Sequence, residues 1–150
     1  MVKLVPVTEG NWYDIARLSL EPNQQKYLDR PIGIIARGYV YRDCNGKVFG
    51  IEADGKIAGV LFVRDMDEEP ACYDLQQFMI GSEHQKKGYG FQALKLILEM
   101  LGKERRYECV EVCVNRENRA ALGLFRKAGF TDTGYIDEDL PDCLNLIYRF

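Results

Sequence analysis

The stretch "HQKKGYGFQAL", from His84 to Leu94, joins an apolar run to an amphipathic one. Gly88 and Gly90 allow the backbone to approach a ligand closely, and free N–H groups at the start of a helix bind anions. Lys86 and Lys87 add positive charge at the same place. The glycines alone leave a second interpretation open, in which this is a tight turn with two solvated lysines.

Two other phosphate-binding motifs compete for the same stretch. "GYGFQA" fits the dinucleotide pattern G-x-G-x-x-A, and Glu108 and Glu111 follow about twenty residues later, as that pattern requires. However, the stretch follows the fourth predicted strand, and too few residues remain to complete a doubly wound domain. A P-loop is excluded because no G-K-[ST] is present.

Size and charge limit the protein's class. The 150 residues suit one domain, 1–150, with a core that needs no disulfide or metal. The net charge of −3 argues against nucleic acid as a partner and is compatible with a cationic substrate. His84 is the only histidine, which excludes a histidine metal cluster and a Ser-His-Asp triad.

Cysteine usage and hydropathy predict the compartment. Five cysteines without a C-x-x-C pair indicate free thiols rather than a disulfide framework or a zinc site, and we expect no metal. The apolar runs are too short to cross a bilayer, and the N-terminus lacks a signal pattern. We therefore expect a soluble, cytoplasmic protein with no membrane partner.

Periodicity predicts the element order β-α-α-β-β-β-α-β-α-β-β. Thr8 or Asn11 caps the first helix, which Pro22 ends, and Pro31 begins the second. "DG" at Asp54–Gly55 joins two strands as a hairpin. The β-α-β stretch in residues 72–114 implies a parallel crossover. The pattern predicts a mixed α/β sheet with helices on both faces.

A second motif reduces the number of protein families that the sequence can resemble. "QKKGYG" fits Q/R-x-x-G-x-G/A, and Asn118 and "KAGF" (Lys127–Phe130) follow at a distance typical of a known family. With the element order, this pair of motifs resembles the GNAT superfamily of acetyl-CoA-dependent N-acetyltransferases. The resemblance implies a mostly antiparallel, twisted sheet of about seven strands with four helices. It also implies acetyl-CoA as cosubstrate, and a homodimer is compatible with it.

The resemblance assigns roles in cofactor binding. The loop before the third long helix would hold the pyrophosphate, and the preceding strand would pair with the pantetheine arm once the next strand splays away. Asn118 would reach the cofactor from the following helix, although a polar helix cap explains it as well. The residues concerned are Phe78, Met79, Ile80, Gln85, Lys86, Lys87, Gly88, Tyr89, Gly90 and Asn118.

One residue departs from the family pattern. The family tyrosine that often protonates the leaving thiolate falls at Phe125, which has no proton to donate. Either another group protonates the thiolate, with Tyr135 and Tyr148 of the last strands as candidates that packing explains equally well, or the thiolate leaves unprotonated and meets solvent. Phe125 also favours a different interpretation, in which the protein is a sensor that binds acetyl-CoA without turnover.

Two carboxylates are candidates for the catalytic base. Alternation places Asp74 on one face of its strand with Gln76, Phe78 and Ile80. Glu111 lies in the middle of the next strand, where a carboxylate is costly unless it is paired or close to water. A salt bridge would explain either residue, so catalytic and structural roles stay open for both.

The acceptor would be held by acidic residues. Glu21 and Asp29 lie in the connection between the first two helices, which lines the acceptor groove in this family. The last connection, "DEDLPD" (Asp137–Asp142), is also acidic, and the chain's ending resembles that of bacterial spermine/spermidine acetyltransferases. The expected acceptor is a small primary amine such as a polyamine. Acetylation of a protein N-terminus or lysine is the alternative.

Overall fold

The computed structural model describes residues 1–150, which form seven strands and four α-helices. The predicted element order is confirmed. The strands are β1 (Val2–Pro6), β2 (Lys47–Ala53), β3 (Lys56–Met66), β4 (Cys72–Ile80), β5 (Cys109–Asn115), β6 (Thr131–Asp132) and β7 (Cys143–Arg149). The helices are α1 (Trp12–Ala16), α2 (Pro31–Val40), α3 (Tyr89–Glu104) and α4 (Arg119–Lys127).

All strands belong to one sheet with the order β1-β2-β3-β4-β5-β7-β6. Five of the six strand pairs are antiparallel, and only β4 and β5, which α3 connects, run parallel. This mixed, mostly antiparallel sheet is the one that the sequence predicts.

The helices cover the two faces unequally. On one face, Ile15 of α1 and Ile34 of α2 pack against Val60, Phe62 and Met79. On the other, α3 and α4 pack against a larger core. On the first face of β5 and β7, Cys113 is exposed and its neighbours are only partly buried, so we call the surface formed there by Asp74, Glu111, Cys113 and Asn145 the open face.

Local residues explain most element boundaries. Asp54 and Gly55 both have positive φ, 51° and 81°, which gives the β2–β3 hairpin the predicted tight turn. The first helix is shorter than predicted and ends at Ala16, before Leu18 and Pro22. Asn11 does not cap it through its side chain, since its Oδ1 accepts from the N–H of Thr8 at 2.8 Å.

The last predicted hairpin is mostly loop. Thr131 and Asp132 pair with β7, and the N–H of Thr133 still donates to the carbonyl of Asn145 at 2.9 Å, before the chain turns away at Gly134, which has a φ of 78°. No helix of the structure has the length and apolar character needed to span a membrane.

A β-bulge overturns one prediction about β4. Phe62 lies opposite Gln77, but the next residue of β3, Val63, lies opposite Leu75, so Gln76 is an extra residue. The extra residue reverses the alternation that follows it. Phe78 and Ile80 therefore pack in the core under α3 and α4, whereas Asp74 and Gln76 face the side of α2. The four residues do not share one face, because strict alternation cannot anticipate a bulge.

Candidate active site

Strands β4 and β5 separate shortly after they meet. Their pairing consists of Tyr73 with Val110 and Asp74 with Glu111, and beyond this the strands diverge. The predicted separation of β5 from β4 is therefore present. The edge of β4 from residue 75 onward is open towards β5, where its backbone groups can pair with an amide-bearing ligand.

A cleft of about 440 Å³ lies at this separation, and we call it the interstrand cleft. It is bounded by β4, the start of α3, α4 and the segment 20–28. It brings together nearly all the residues predicted to bind a cofactor: Phe78, Met79, Ile80, Gln85, Lys86, Gly88, Tyr89, Gly90 and Asn118. The side chain of Lys87 is exposed and lies outside the cleft.

The loop at the mouth of the cleft presents a continuous run of backbone donors. Every backbone N–H from Gln85 to Phe91 lacks an acceptor within the protein. Lys86 and Gly88 have left-handed φ values of 62° and 82°, and alternation of this kind turns successive N–H groups into one concavity. With the N-terminus of the sixteen-residue helix α3 behind it, this loop fits a bound diphosphate.

The sequence left two roles open for Asn118, a helix cap and a cofactor contact, and its side chain is placed so that it can serve both. Its Oδ1 accepts from the N–H of Ala121 at 3.3 Å, so it caps α4. Its Nδ2 makes no hydrogen bond within the protein and can donate to a ligand in the cleft.

Two glutamine side chains form an amide pair at one side of the cleft, and the sequence did not predict this contact. Gln24 and Gln85 exchange hydrogen bonds of 3.2 and 3.0 Å, and Gln85 also donates to the carbonyl of Ile80 at 2.9 Å. These bonds hold the segment 20–28 against the loop before α3. The residues are 61 positions apart, so no local pattern indicates their contact.

The aromatic residues near the cleft have distinct environments. Phe125 is buried and packs against Phe78 and Phe130, with ring centroids 6.1 and 5.3 Å away. Tyr148 packs against Phe130 in the α3–α4 core, and Tyr135 is 62% exposed. Neither of these tyrosines lines the interstrand cleft, whereas Tyr27, which the sequence analysis did not single out, does.

Asp74 and Glu111 lie opposite each other on neighbouring strands, at the point where the strands separate. Oδ2 of Asp74 accepts from Nε of Arg64 at 3.0 Å. Burial raises the pKa of Asp74, Arg64 acts against that rise, and the nearby Glu111 adds to it. Glu111 has no cationic partner within salt-bridge distance, and its Oε2 accepts only from the thiol of Cys72, at 3.2 Å.

The carboxylates expected to hold the acceptor are not equally available. Asp29 forms an ion pair with Arg37 at 3.3 Å, and Arg37 also donates to Gln76. The backbone N–H of Asp29 donates to the buried side chain of Gln77, which fixes the start of α2 to β4. Glu21 is exposed, and its side chain lines neither the interstrand cleft nor the neighbouring cavity around Asp29.

The geometry defines a class of protein: a mixed-sheet domain with a loop of free backbone donors at the start of a helix, a strand edge open to an amide-bearing ligand, and one carboxylate without a cationic partner, Glu111, where the two strands separate. The match to the Acetyltransferase (GNAT) family spans residues 11–130, and the chain belongs to this family. It is thus an acetyl-CoA-dependent acyltransferase, as the sequence predicts.

Solved structures with the same fold have different acceptors. A spermidine N-acetyltransferase from Vibrio cholerae, solved with CoA and spermine, is 18% identical with a TM-score of 0.77 over 99% of this chain and 95% of that one. The ribosomal L7/L12 α-N-protein acetyltransferase RimL, solved with coenzyme A, is 15% identical with a TM-score of 0.79 over 99% and 94%. An acetyltransferase from Agrobacterium tumefaciens str. C58 is 14% identical with a TM-score of 0.78 over 99% and 91%.

Proposed function

We propose that the protein transfers the acetyl group of acetyl-CoA to a primary amine of a small cationic acceptor, with a polyamine such as spermine or spermidine as the leading class. The observation that carries the donor half is the run of free N–H groups from Gln85 to Phe91 at the mouth of the interstrand cleft. A cytoplasmic location and a homodimer stay predictions from the sequence.

The donor would lie along the interstrand cleft. The N–H groups of the loop and Lys86 would hold the pyrophosphate. The open edge of β4 at Phe78, Met79 and Ile80 would pair with the amides of the pantetheine arm, and Nδ2 of Asn118 would add a hydrogen bond. When bound, acetyl-CoA supplies the activated acetyl group near the point where the two strands separate.

We propose Glu111 as the base that removes a proton from the acceptor's ammonium group. Its carboxylate has no cationic partner, so it keeps an oxygen free to accept a proton. Asp74 is held by Arg64, which makes it a weaker candidate for the base. Its other oxygen, Oδ1, makes no hydrogen bond with Arg64 and would instead accept one from the cationic amine beside Glu111.

The leaving thiolate also needs a proton, and Phe125 cannot supply one. Tyr27 and Tyr89 are the tyrosines that line the interstrand cleft. The hydroxyl of Tyr89 donates to the exposed Asp54 at 3.3 Å, which turns it away from the cleft. Tyr27 is therefore our candidate for the general acid, in preference to Tyr135 and Tyr148.

The acceptor would approach from the open face. Nδ2 of Asn145, which lies opposite Cys113, donates to the carbonyl of Tyr135 at 3.0 Å, so the acidic loop that follows β6 begins beside this face. Burial is the main cause that raises the pKa of the Cys113 thiol to about 12, followed by the adjacent Cys143 and then by Asp74 and Asp137. This arrangement of negative charge supports a cationic acceptor, as does the fold shared with a spermidine N-acetyltransferase.

A second candidate acceptor is the α-amine of a protein. Arg37 and Arg64 neutralise Asp29 and Asp74, which lowers the free negative charge available to a polycation. A peptide presents carbonyl groups beside its α-amine, and arginine N–H groups can donate to them. The shared fold with an α-N-protein acetyltransferase is consistent with this alternative.

A thiol-release assay separates these functions. The purified protein is given acetyl-CoA with spermidine, with a lysine-free peptide that has a free N-terminus, with an N-blocked lysine peptide, or with no acceptor. We expect acceptor-dependent release of CoA with spermidine alone. Release with either peptide and not with spermidine would identify a protein acetyltransferase. Tight acetyl-CoA binding without release in any reaction would identify a binding module.

Gln24→Ala should weaken acetyl-CoA binding by about three- to tenfold, because it removes the amide pair that holds segment 20–28 over the cleft. Calorimetry with CoA measures the effect directly. Asn23→Ala is the matched control, since Asn23 is exposed and its side chain makes no hydrogen bond. Equal affinities for the two variants would show that the amide pair does not support the donor site.

A further inference from the structure

The interstrand cleft meets a second cavity, of about 780 Å³, at the side chains of Phe91 and Lys127. Nζ of Lys127 lies 4.4 Å from the centre of the Phe91 ring, and Nζ of Lys95 lies 5.8 Å from it. Both lysines are exposed, and neither forms a salt bridge; the carboxylate that lines the same cavity, Glu99, pairs with Lys103 at 2.7 Å. Two cations without a salt-bridge partner therefore lie against one aromatic ring, that of Phe91, at the end of the loop of free N–H groups.

The proposed donor site leaves these two cations without a role. Acetyl-CoA carries a third phosphate, on the 3′ position of its ribose, and only that ribose separates it from the pyrophosphate. A ligand whose pyrophosphate lies on residues 85–91 brings the 3′-phosphate to one side of this loop. Phe91 is the last residue of the loop, and the adjacent unpaired cations in the joined cavities are Lys127 and Lys95.

We propose that Lys127, assisted by Lys95 across the ring of Phe91, binds the 3′-phosphate of coenzyme A and makes the enzyme select CoA over dephospho-CoA. The inference rests on the proposed function, because it presumes acetyl-CoA as the ligand of the interstrand cleft. A lysine ammonium suits an exposed phosphate monoester, since it acts as a point charge with three donors. The ring holds both ammonium groups near one spot through cation–π contacts.

Calorimetry with two cofactors tests the proposal without turnover. The dissociation constants of CoA and dephospho-CoA are measured for the wild type and for Lys127→Met. We expect the wild type to bind CoA about tenfold more tightly than dephospho-CoA, as one charge-assisted contact at an exposed site would give. Lys127→Met should bring that ratio close to one by weakening CoA alone, and Lys95→Met should lower it by a smaller factor.

Two controls separate charge from structure. Lys127→Arg keeps the charge at the end of α4 and should keep most of the preference for CoA. Lys47→Met removes an exposed lysine at the start of β2 that lines neither cavity, and it should leave both constants unchanged. Raising the salt concentration should reduce the wild-type ratio more than that of Lys127→Met.

The results that overturn the proposal are distinct from those that overturn the proposed function. If Lys127→Met weakens both cofactors equally, or leaves the ratio unchanged, the 3′-phosphate does not lie at Lys127. If the wild type binds neither cofactor, the donor site itself is wrong, and this inference fails with it.

Discussion

Gly88→Val should weaken acetyl-CoA binding by about a hundredfold. Gly88 has a φ of 82°, a conformation that a β-branched residue adopts only under strain, so the loop must change its backbone to accept valine. A changed backbone redirects the N–H groups that hold the pyrophosphate, and the loss of two charge-assisted hydrogen bonds accounts for a change of this size. Calorimetry with CoA measures the loss.

Gly55 provides a matched control for this substitution. It has a φ of 81° in the β2–β3 turn, and a Cβ built there meets no atom within 4 Å, so Gly55→Val introduces the same strain away from the cleft. Both variants should lose about 1–2 kcal/mol of stability, or several degrees in Tm. If Gly88→Val binds CoA as tightly as Gly55→Val does, residues 85–91 are not the pyrophosphate site.

Glu111→Gln should lower kcat by at least about a hundredfold at saturating acetyl-CoA and acceptor, the lower end of what a positioned base contributes. Glutamine keeps the size of the side chain and an oxygen that can accept from Cys72, so the local packing is retained. The dissociation constant of CoA should not change, because Glu111 does not line the interstrand cleft.

Two further variants make the test of Glu111 decisive. Glu108→Gln removes an exposed carboxylate that pairs with Arg105 at 2.8 Å just before β5, and it should leave kcat unchanged. Asp74→Asn leaves Arg64 without its partner, and we expect it to raise the KM of the acceptor more than it lowers kcat. If Asp74→Asn abolishes turnover while Glu111→Gln retains it, the roles of the two carboxylates are reversed.

The local geometry of the proposed donor site could be predicted from the sequence. The residues from Gln85 to Gly90 are consecutive, and their N–H groups are free because a helix begins there. Gly88 supplies the left-handed conformation, and nothing distant is needed to produce it. The separation of β4 from β5 was likewise implied by the family resemblance, and it is present.

The acceptor side could not be predicted in the same way. Asp29, Asp74 and Glu111 are candidates because of their charge, but whether each carboxylate is free to bind an acceptor depends on partners that no local pattern indicates. Arg64 lies ten positions before Asp74 and meets it because β3 and β4 pair. The bulge at Gln76 similarly depends on the register of two strands, so alternation placed Phe78 and Ile80 on the wrong face.

The amino-acid sequence by itself determined the order of the elements, the loop of free donors and the absence of a hydroxyl at Phe125. These properties depend on residues close together in the chain, where periodicity and backbone preference act. The tertiary structure alone decided that Arg64 and Arg37 neutralise two carboxylates, that Glu111 stays unpaired, and that Lys127 reaches Phe91. Charge pairing and desolvation depend on distances in space, and the register of the strands and the packing of the helices set those distances.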